Sequence, residues 1–255
     1  MTFHQAEVVA KFRKELSDGS PLIGTWIQIE SSDYAEMIGQ AGYDWAAVDM
    51  EHGAFSRQSL PDIFRALELG GTAPFVRIAN PDAILCQQAF DSGAVGIVIP
   101  RIESAGQLEA LIAGCNWPPT GTRGVGFSRA NLYGNYFDSY KEAAQRSFVV
   151  AQVESANAIQ AIDEIASVAG LDAIMIGPYD LSASLGRTGE TQHPEIQAAI
   201  RRVLTTCHSR RLACGIHVVE PRPTDLNVAI ELGHRFIAYG TDARFFLSNL
   251  QNPRR

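Results

Sequence analysis

The segment WAAVDMEHGAF, residues 45–55, joins an apolar run directly to groups that can exchange protons. Asp49, Glu51 and His52 follow Val48 almost at once. An imidazole changes its charge near neutral pH, and a carboxylate three residues away can orient it. We therefore predict that His52 is a general acid–base group positioned by Asp49. The residues alone leave open that His52 only forms a hydrogen bond within its loop.

Charged and polar side chains also end other apolar runs of the chain. Acids, bases and cations recur at these ends, and such groups would form a reaction centre if the ends met on one face. The residues are Glu30, Arg77, Arg101, Gln152, Glu154, Asp180, His217, Tyr239 and Asp242.

Glu154 and Asp180 could supply oxygen ligands to a hard divalent cation, because they follow successive apolar runs. Each could instead be the N-cap of the helix that follows, a position that carboxylates favour. Arg77 could likewise form a salt bridge rather than stabilise a reacting anion. The residue types alone do not decide between these interpretations.

The lysines argue against one mechanism. The chain has only Lys11, Lys14 and Lys141, and none lies at the end of an apolar run. Schiff-base chemistry needs a desolvated lysine beside the substrate. No nucleophile elbow, cysteine–histidine pair or phosphate-binding loop is found in the sequence. A metal ion with a general base is the chemistry that remains.

Eight short apolar runs alternate with helical patterns. The runs are nearly continuous in Val, Ile and Ala, which is typical of parallel strands buried on both faces. The predicted strands are 22–29, 45–49, 73–78, 95–100, 148–154, 172–177, 212–218 and 235–240. The predicted helices are 32–41, 59–69, 81–91, 104–114, 155–167, 194–210, 223–232 and 242–250, preceded by an amphipathic helix near the N-terminus.

Eight strand–helix units favour a TIM barrel over a doubly wound sheet, which has fewer strands and a glycine-rich dinucleotide turn. We predict an α/β fold, a single (β/α)8 barrel with an N-terminal helix, over residues 1–255 as one domain. The strand ends of such a barrel meet on one face. Two insertions, 116–147 and 178–193, are expected to shape the pocket.

Composition limits the partners. The chain has 255 residues, 46% of them hydrophobic, and a net charge of −7. The acidic balance argues against nucleic acid or an anionic membrane as partner, and no apolar run reaches the ~20 residues of a membrane span. The four cysteines lack zinc or CxxC spacing, as expected for reduced thiols. We expect a cytoplasmic protein that acts on a small molecule.

Five segments resemble a known family in order and spacing: GYDWAAVDMEHG, PFVRI, PPTGTRGVG, AQVES and IGPYDLSASLG. They are similar to the metal-dependent class II 2-oxo-acid aldolases of the HpcH/HpaI family, whose type member is 4-hydroxy-2-oxoheptanedioate aldolase. The resemblance extends from Gly24 to about Leu247. EHG together with GPYDLSASLG is its most specific part.

The resemblance implies a TIM barrel that holds Mg²⁺, Mn²⁺ or Co²⁺ through Glu154 and Asp180. It implies that His52, with Asp49 as its partner, and Arg77 are catalytic. The expected reaction is cleavage of a 4-hydroxy-2-oxo acid to pyruvate and an aldehyde, or the reverse addition. It also implies a homo-oligomer, a hexamer built as a trimer of dimers.

The substrate contacts expected near the metal are Gln152, matched by the resemblance, and the GPY segment Gly177, Pro178 and Tyr179. The backbone N–H groups that follow Gly177 begin a helix and can hold a carboxylate. The chain departs from the family pattern at His217 and Arg101, where polar groups replace apolar ones. We expect both to contact a polar acceptor aldehyde. The alternative for His217 is a bond to a neighbour such as Glu220.

Two other classes of function stay open. Related barrels cleave or form citrate or acyl-CoA esters with the same metal and arginine. Binding such substrates would depend more heavily on the inserted loops. A barrel that binds a 2-oxo acid without catalysis would not require His52. A purely structural protein leaves the acid–base groups without a purpose.

Overall fold

A computed structural model of the chain describes residues 5–250. Eight parallel strands form a closed barrel in which each strand pairs with the next and β8 pairs with β1. The predicted (β/α)8 barrel is confirmed. The strands are β1 Leu22–Ile27, β2 Trp45–Asp49, β3 Ala73–Arg77, β4 Gly96–Ile99, β5 Phe148–Val153, β6 Ala173–Ile176, β7 Ala213–Val218 and β8 Phe236–Thr241.

Helices surround the barrel and connect its strands. They are α1 Gln5–Ser17, α2 Ser32–Gln40, α3 Leu60–Gly70, α4 Ala83–Asp91, α5 Ala105–Cys115, α6 Phe137–Ala144, α7 Ala156–Gln160, α8 Ile162–Ile165, α9 Pro178–Ser184, α10 Pro194–Ser209, α11 Pro223–Glu231 and α12 Asp242–Asn249. None of the helices between residues 5 and 250 has the length and apolar character to cross a membrane.

Some predicted boundaries are wrong. The first strand ends at Ile27 rather than at residue 29, because the N–H groups of Gln28 and Ile29 donate to the Asp242 carboxylate instead of to a neighbouring strand. The predicted helix 155–167 is two short helices, α7 and α8, which meet at Ala161 outside the helical region of φ and ψ.

The two insertions contain helices rather than loops alone. A 3₁₀ segment, Arg129–Gly134, and α6 lie within the first insertion, and α9 begins the second. The predicted N-terminal helix is confirmed as α1, although residues 1–4 lie outside the described part of the chain.

Aromatic side chains fill the interior of the barrel. Trp45 and Phe236 stack with their ring centroids 4.4 Å apart, and Phe12 of α1 contacts Phe75 and Phe148 at 6.4 and 6.1 Å. Helix α1 therefore closes the N-terminal end of the barrel. The carboxyl ends of the strands, where the polar residues collect, form the opposite end.

Candidate active site

Strand register places Asp49 beside Arg77, which are partner residues in the β2–β3 ladder. The Nε and one terminal nitrogen of Arg77 donate to the two oxygens of Asp49 at 2.9 and 2.6 Å. The same guanidinium lies 4.5 Å from the ring centroid of Trp26. The salt bridge that the sequence left as an alternative for Arg77 is therefore present.

Asp49 is ionised although its side chain is fully buried. Burial alone would raise the pKa of Asp49. The hydrogen bonds and charge of Arg77, helped by the Gln28 amide that donates at 3.1 Å, outweigh that effect and hold the pKa below its usual range. The pair is therefore a fixed carboxylate and a fixed guanidinium.

The predicted orientation of the His52 ring by Asp49 is not what the structure contains. Asp49 Oδ1 accepts hydrogen bonds from the backbone N–H groups of Glu51 and His52, each at 3.1 Å. Its oxygens are otherwise occupied by Arg77 and Gln28, so no position remains for the imidazole. Asp49 positions the backbone of this turn, and the exposed His52 side chain lines the cavity described below.

Glu51 joins Arg77 to Arg101. Its side chain is only 6% exposed, and its oxygens lie 3.4 Å from a terminal nitrogen of Arg77 and 2.9 Å from one of Arg101. Arg101 also donates to the Asn80 side-chain oxygen at 3.3 Å. The prediction placed the Arg101 guanidinium against the substrate. The structure instead pairs it with Glu51 and Asn80, and Arg101 is not among the residues that line the cavity.

The backbone of Arg101 has a second role. Its φ of 54° lies in the left-handed region, which is unfavourable for a residue other than glycine. In this conformation its N–H donates to Glu154 Oε1 at 2.8 Å. The strained turn after β4 therefore contributes a donor to the buried carboxylate at the end of β5.

Glu154 is 6% exposed, and burial raises its pKa, with the charges of Glu51 and Asp180 adding to the effect. The Gln152 amide donates to Glu154 Oε2, and the Oε1 of Gln152 is buried without a partner. A Cβ at position 177 would lie 2.6 Å from Glu154 Oε2, so only glycine fits there. The Glu154 carboxylate and the unpaired Gln152 oxygen therefore lie close together, and a bound cation would give both a partner.

Neither metal-ligand candidate is the N-cap of its helix. Ser155 caps α7, with its side chain accepting from the N–H of Ala158, and Gly177 holds the cap position of α9. Asp180 lies in the first turn of α9 and is exposed. The N-cap interpretation is wrong for both Glu154 and Asp180.

Two carboxylates and an unpaired amide oxygen suit a hard cation, which commonly binds one or two protein carboxylates and completes its shell with water and substrate. No cluster of three or more His, Cys, Asp or Glu with metal-binding geometry is found within residues 5–250. The donor set therefore fits Mg²⁺ or Mn²⁺ better than a tetrahedral zinc site.

A cavity of about 290 Å³ lies at this end of the barrel. Eight of the residues expected at the site line it: His52, Arg77, Gln152, Gly177, Pro178, Tyr179, Asp180 and His217. Asp49 and Glu154 lie behind this lining and contact it through Arg77 and Gln152. None of the three lysines lines the cavity.

His217 enters the cavity from β7, as the sequence predicts. Its Nε2 lies 3.2 Å from the carbonyl oxygen of Gly240, and its ring packs edge-on against Trp26 at 6.0 Å. The alternative partner Glu220 is instead paired with Arg244. Burial lowers the pKa of His217 to about 4, and the charge of Arg77 adds to this. A neutral ring that donates through Nε2 leaves Nδ1 as an acceptor.

Sequence reasoning missed several residues of the cavity: Trp26, Gln28, Val219, Thr241 and Arg244. Gln28 directly follows β1 and so has the same strand-end position as the predicted site residues. Arg244 follows β8 inside a predicted helix, and its position gave no sign of a role in the site. Asp242 is buried and accepts three backbone N–H bonds, from Gln28, Ile29 and Ala243, so its role is to hold the end of β1.

The lowered pKa of His217 predicts a pH dependence of stability. An imidazole binds its proton near pH 6.5 in the unfolded chain and near pH 4 in the fold. The folded state binds fewer protons in this interval, so the free energy of unfolding should fall as pH falls from about 6.5 towards 4. Urea unfolding at pH 7.5, 6 and 5 should show a smaller loss for His217→Gln than for the wild type. Equal losses, or a His217 ring NMR signal that titrates between pH 6 and 7, would contradict this.

Known proteins match almost the whole chain. The model of the HpcH/HpaI aldolase/citrate lyase family matches residues 22–249. A hydroxypyruvate/pyruvate aldolase of Roseobacter denitrificans is 35% identical over 240 residues, which cover 93% of each chain. A 2-dehydro-3,6-dideoxy-6-sulfogluconate aldolase of Pseudomonas putida is 35% identical over 227 residues, 89% of this chain and 88% of that one.

Solved structures agree with these relatives. The crystal structure of an HpcH/HpaI aldolase/citrate lyase family protein from Burkholderia cenocepacia superimposes with a TM-score of 0.88. It is 31% identical and covers 93% of this chain and 95% of its own. The predicted resemblance is confirmed: the chain belongs to the HpcH/HpaI aldolase/citrate lyase family and is an enzyme of its aldolase class.

Proposed function

We propose that the protein cleaves a 4-hydroxy-2-oxo acid to pyruvate and an aldehyde, or joins the two, in a divalent-metal-dependent aldol reaction. The observation that carries the proposal is one cavity that brings the fixed guanidinium of Arg77 together with Asp180 and the buried Gln152–Glu154 pair. A positively charged hydrogen-bond donor, Arg77, and the proposed metal ligands then lie at the same small cavity. Relatives named as aldolases of pyruvate and of a 2-dehydro sugar acid support the substrate class.

Glu154 and Asp180 are the residues proposed to hold Mg²⁺, Mn²⁺ or Co²⁺. When bound, the ion supplies a Lewis acid that polarises the 2-oxo group of the substrate. The N–H groups of Tyr179 and Asp180, in the first turn of α9, have no intrahelical acceptors and are proposed to donate to the substrate carboxylate. Pro178 has no N–H, so it contributes shape rather than a donor.

Arg77 donates to the oxygen that gains negative charge as the carbon–carbon bond breaks. Asp49 holds the guanidinium through two bonds, so the donor needs no reorganisation during the reaction. His52 accepts the proton of the C4 hydroxyl, the bond between C3 and C4 breaks, and its electron pair moves onto the enolate. Protonation of C3 then gives pyruvate, and the addition runs through the same steps in reverse.

His217 is proposed to contact the acceptor half of the substrate. Its Nε2 faces the Gly240 carbonyl, which leaves Nδ1 to accept a hydrogen bond from a substrate hydroxyl. A polar aldehyde fits this acceptor. The predicted second contact, Arg101, is not kept, because its guanidinium is paired with Glu51.

The alternative reaction is cleavage or formation of citrate or of an acyl-CoA ester, which the family description includes through citrate lyase. These substrates would use the same carboxylates and Arg77. A non-catalytic 2-oxo-acid-binding barrel is the further alternative, and it would bind pyruvate without exchanging its methyl protons. Product analysis with pyruvate, citrate and acetyl-CoA separates the three.

We further propose that residues 1–255 form one aldolase domain that assembles as a homo-oligomer, a hexamer built as a trimer of dimers. Apolar side chains remain exposed on α12 and just after it: Phe246 is 48%, Leu247 55% and Leu250 60% exposed. Burying them against a second copy would remove this apolar surface from water. A cytoplasmic location is consistent with four free buried cysteines.

Glu154→Gln tests the metal site. The change removes one of the two carboxylates and should weaken Mn²⁺ binding by more than about 100-fold, because changes behind a metal ligand already weaken binding about 10–100-fold. Mn²⁺ affinity is measured by the electron paramagnetic resonance signal of the free ion. Glu164→Gln, an exposed carboxylate of α8, is the matched control and should bind Mn²⁺ as the wild type does. Unchanged affinity in Glu154→Gln would refute the assignment.

Arg77 and His52 should differ in the steps that they affect. Arg77→Ala should slow both cleavage and exchange of the pyruvate methyl protons, by on the order of 10²–10³. His52→Ala should slow cleavage far more than exchange, because its proton belongs to the C4 hydroxyl. Arg77→Ala also leaves Asp49 buried without its partner, so thermal unfolding is recorded in parallel and Arg77→Lys is included. Equal losses in both assays for His52→Ala would remove the role given to His52.

A further inference from the structure

The cavity is lined by two guanidinium groups, and they differ in how tightly they are held. Arg77 is fixed by the buried Asp49 and by Glu51. Arg244, in the first turn of α12, is 44% exposed and has Glu220 as its ion-pair partner. Only one of its terminal nitrogens takes part, at 2.5 and 2.7 Å from the two Glu220 oxygens.

We propose that Arg244 is a specificity residue that binds an anionic group at the far end of the acceptor aldehyde, with Glu220 as the counter-ion that this group replaces. The inference rests on the proposed aldol function and names the substrate class of the same site. The substrate would be a carboxylate, sulfonate or phosphate that carries an aldehyde at its other end.

The order of residues around the barrel supports this placement. The carboxylates of the metal site follow β5 and β6, His217 lies on the next strand, β7, and Arg244 follows β8. A substrate that begins at the metal and extends along this side of the cavity therefore passes His217 before it reaches Arg244. An acceptor aldehyde with a polar middle and an anionic end would therefore place its polar group at the neutral imidazole of His217 and its anion at Arg244.

The difference between two ion pairs decides which arginine is available. Arg101 is paired with Glu51, whose side chain is only 6% exposed, so opening that pair would leave a buried carboxylate with only its longer 3.4 Å contact to Arg77. Glu220 is 48% exposed and becomes hydrated when Arg244 leaves it. Exposed pairs of this kind contribute little to stability. Arg244 can therefore exchange its partner for a substrate anion, and Arg101 cannot.

No hydrogen bond within residues 5–250 engages the Nε or the second terminal nitrogen of Arg244. A guanidinium binds carboxylate and related anions through two parallel N–H bonds, which require such free donors. Arg244 therefore has the donors for a bidentate contact even before Glu220 moves away.

The test compares aldehydes that have the same shape and differ in charge. Glyoxylate, succinate semialdehyde and glutarate semialdehyde are each paired with the neutral aldehyde in which an isopropyl group replaces the carboxylate. Addition of pyruvate to each is measured as kcat/KM. The wild type should prefer the anionic member of at least one pair, and the chain length at which this happens measures the reach to Arg244.

Arg244→Leu should reduce kcat/KM for that anionic aldehyde by about 10–100-fold and for its neutral partner by less than about 3-fold, because a hydrogen bond to a charged group is lost only with the anion. Arg244→Lys should lie between the two. Glu220→Gln should increase kcat/KM for the anion by about 3–10-fold, since the competing carboxylate is gone. Arg222→Leu is the control: Arg222 is also paired with a carboxylate, that of Asp225, but does not line the cavity.

Deuterium exchange into pyruvate is recorded for every variant. It distinguishes a failure of the role proposed for Arg244 from a failure of the proposed aldol function. Exchange that persists while Arg244→Leu reduces both members of each pair equally would overturn the role of Arg244 alone. The same holds if Arg222→Leu reproduces the effect of Arg244→Leu, or if the wild type uses only the neutral aldehydes. A wild type that neither exchanges pyruvate nor joins it to any aldehyde would instead refute the proposed function.

Discussion

The contact between Asp49 and Arg77 is the interaction on which the rest of the site depends. The β2–β3 register sets the two residues side by side, and two charge-assisted hydrogen bonds join them. A fully buried carboxylate is tolerated only with such a partner, so neither group can move without exposing the other to an apolar interior. The turn that carries His52 is attached to the same carboxylate through its backbone. One ion pair therefore fixes both the guanidinium of Arg77 and the turn that carries His52, the two groups to which the proposed reaction assigns roles.

A second series of contacts extends from this pair to the proposed metal site. Glu51 lies between Arg77 and Arg101, and the strained backbone of Arg101 donates to Glu154. Positive and negative groups alternate along the series, which limits repulsion between carboxylates that are close together and poorly hydrated. Glu154 is the exception: burial and the neighbouring acids raise its pKa, and Gln152 keeps an unpaired oxygen beside it. A divalent cation would relieve both features.

Sequence patterns were sufficient for the fold and for the face of the barrel that carries the site. Continuous apolar runs and their spacing predicted the eight strands, and strand ends identified five of the residues that line the cavity, His52, Arg77, Gln152, Asp180 and His217. Sequence patterns could not predict which side chains form ion pairs and hydrogen bonds with one another. Asp49 and His52 are three residues apart, yet Arg77, 28 positions later, takes the carboxylate because register places it opposite. Arg101 follows a strand and was expected at the substrate, yet its guanidinium pairs with the buried Glu51. Arg244 lies inside a predicted helix, lines the cavity and pairs with the exposed Glu220.

Deuterium exchange from solvent into the methyl group of pyruvate, followed by NMR without any aldehyde, tests whether the site forms a metal-dependent enolate. It isolates formation of the enolate, the step that the proposal assigns to the metal carboxylates and Arg77. We expect exchange in the presence of Mn²⁺ or Mg²⁺, loss of exchange after chelation, and recovery when the ion is restored. Undiminished exchange in a verified metal-free sample, or no exchange with either ion present, would contradict the proposed metal-dependent enolate.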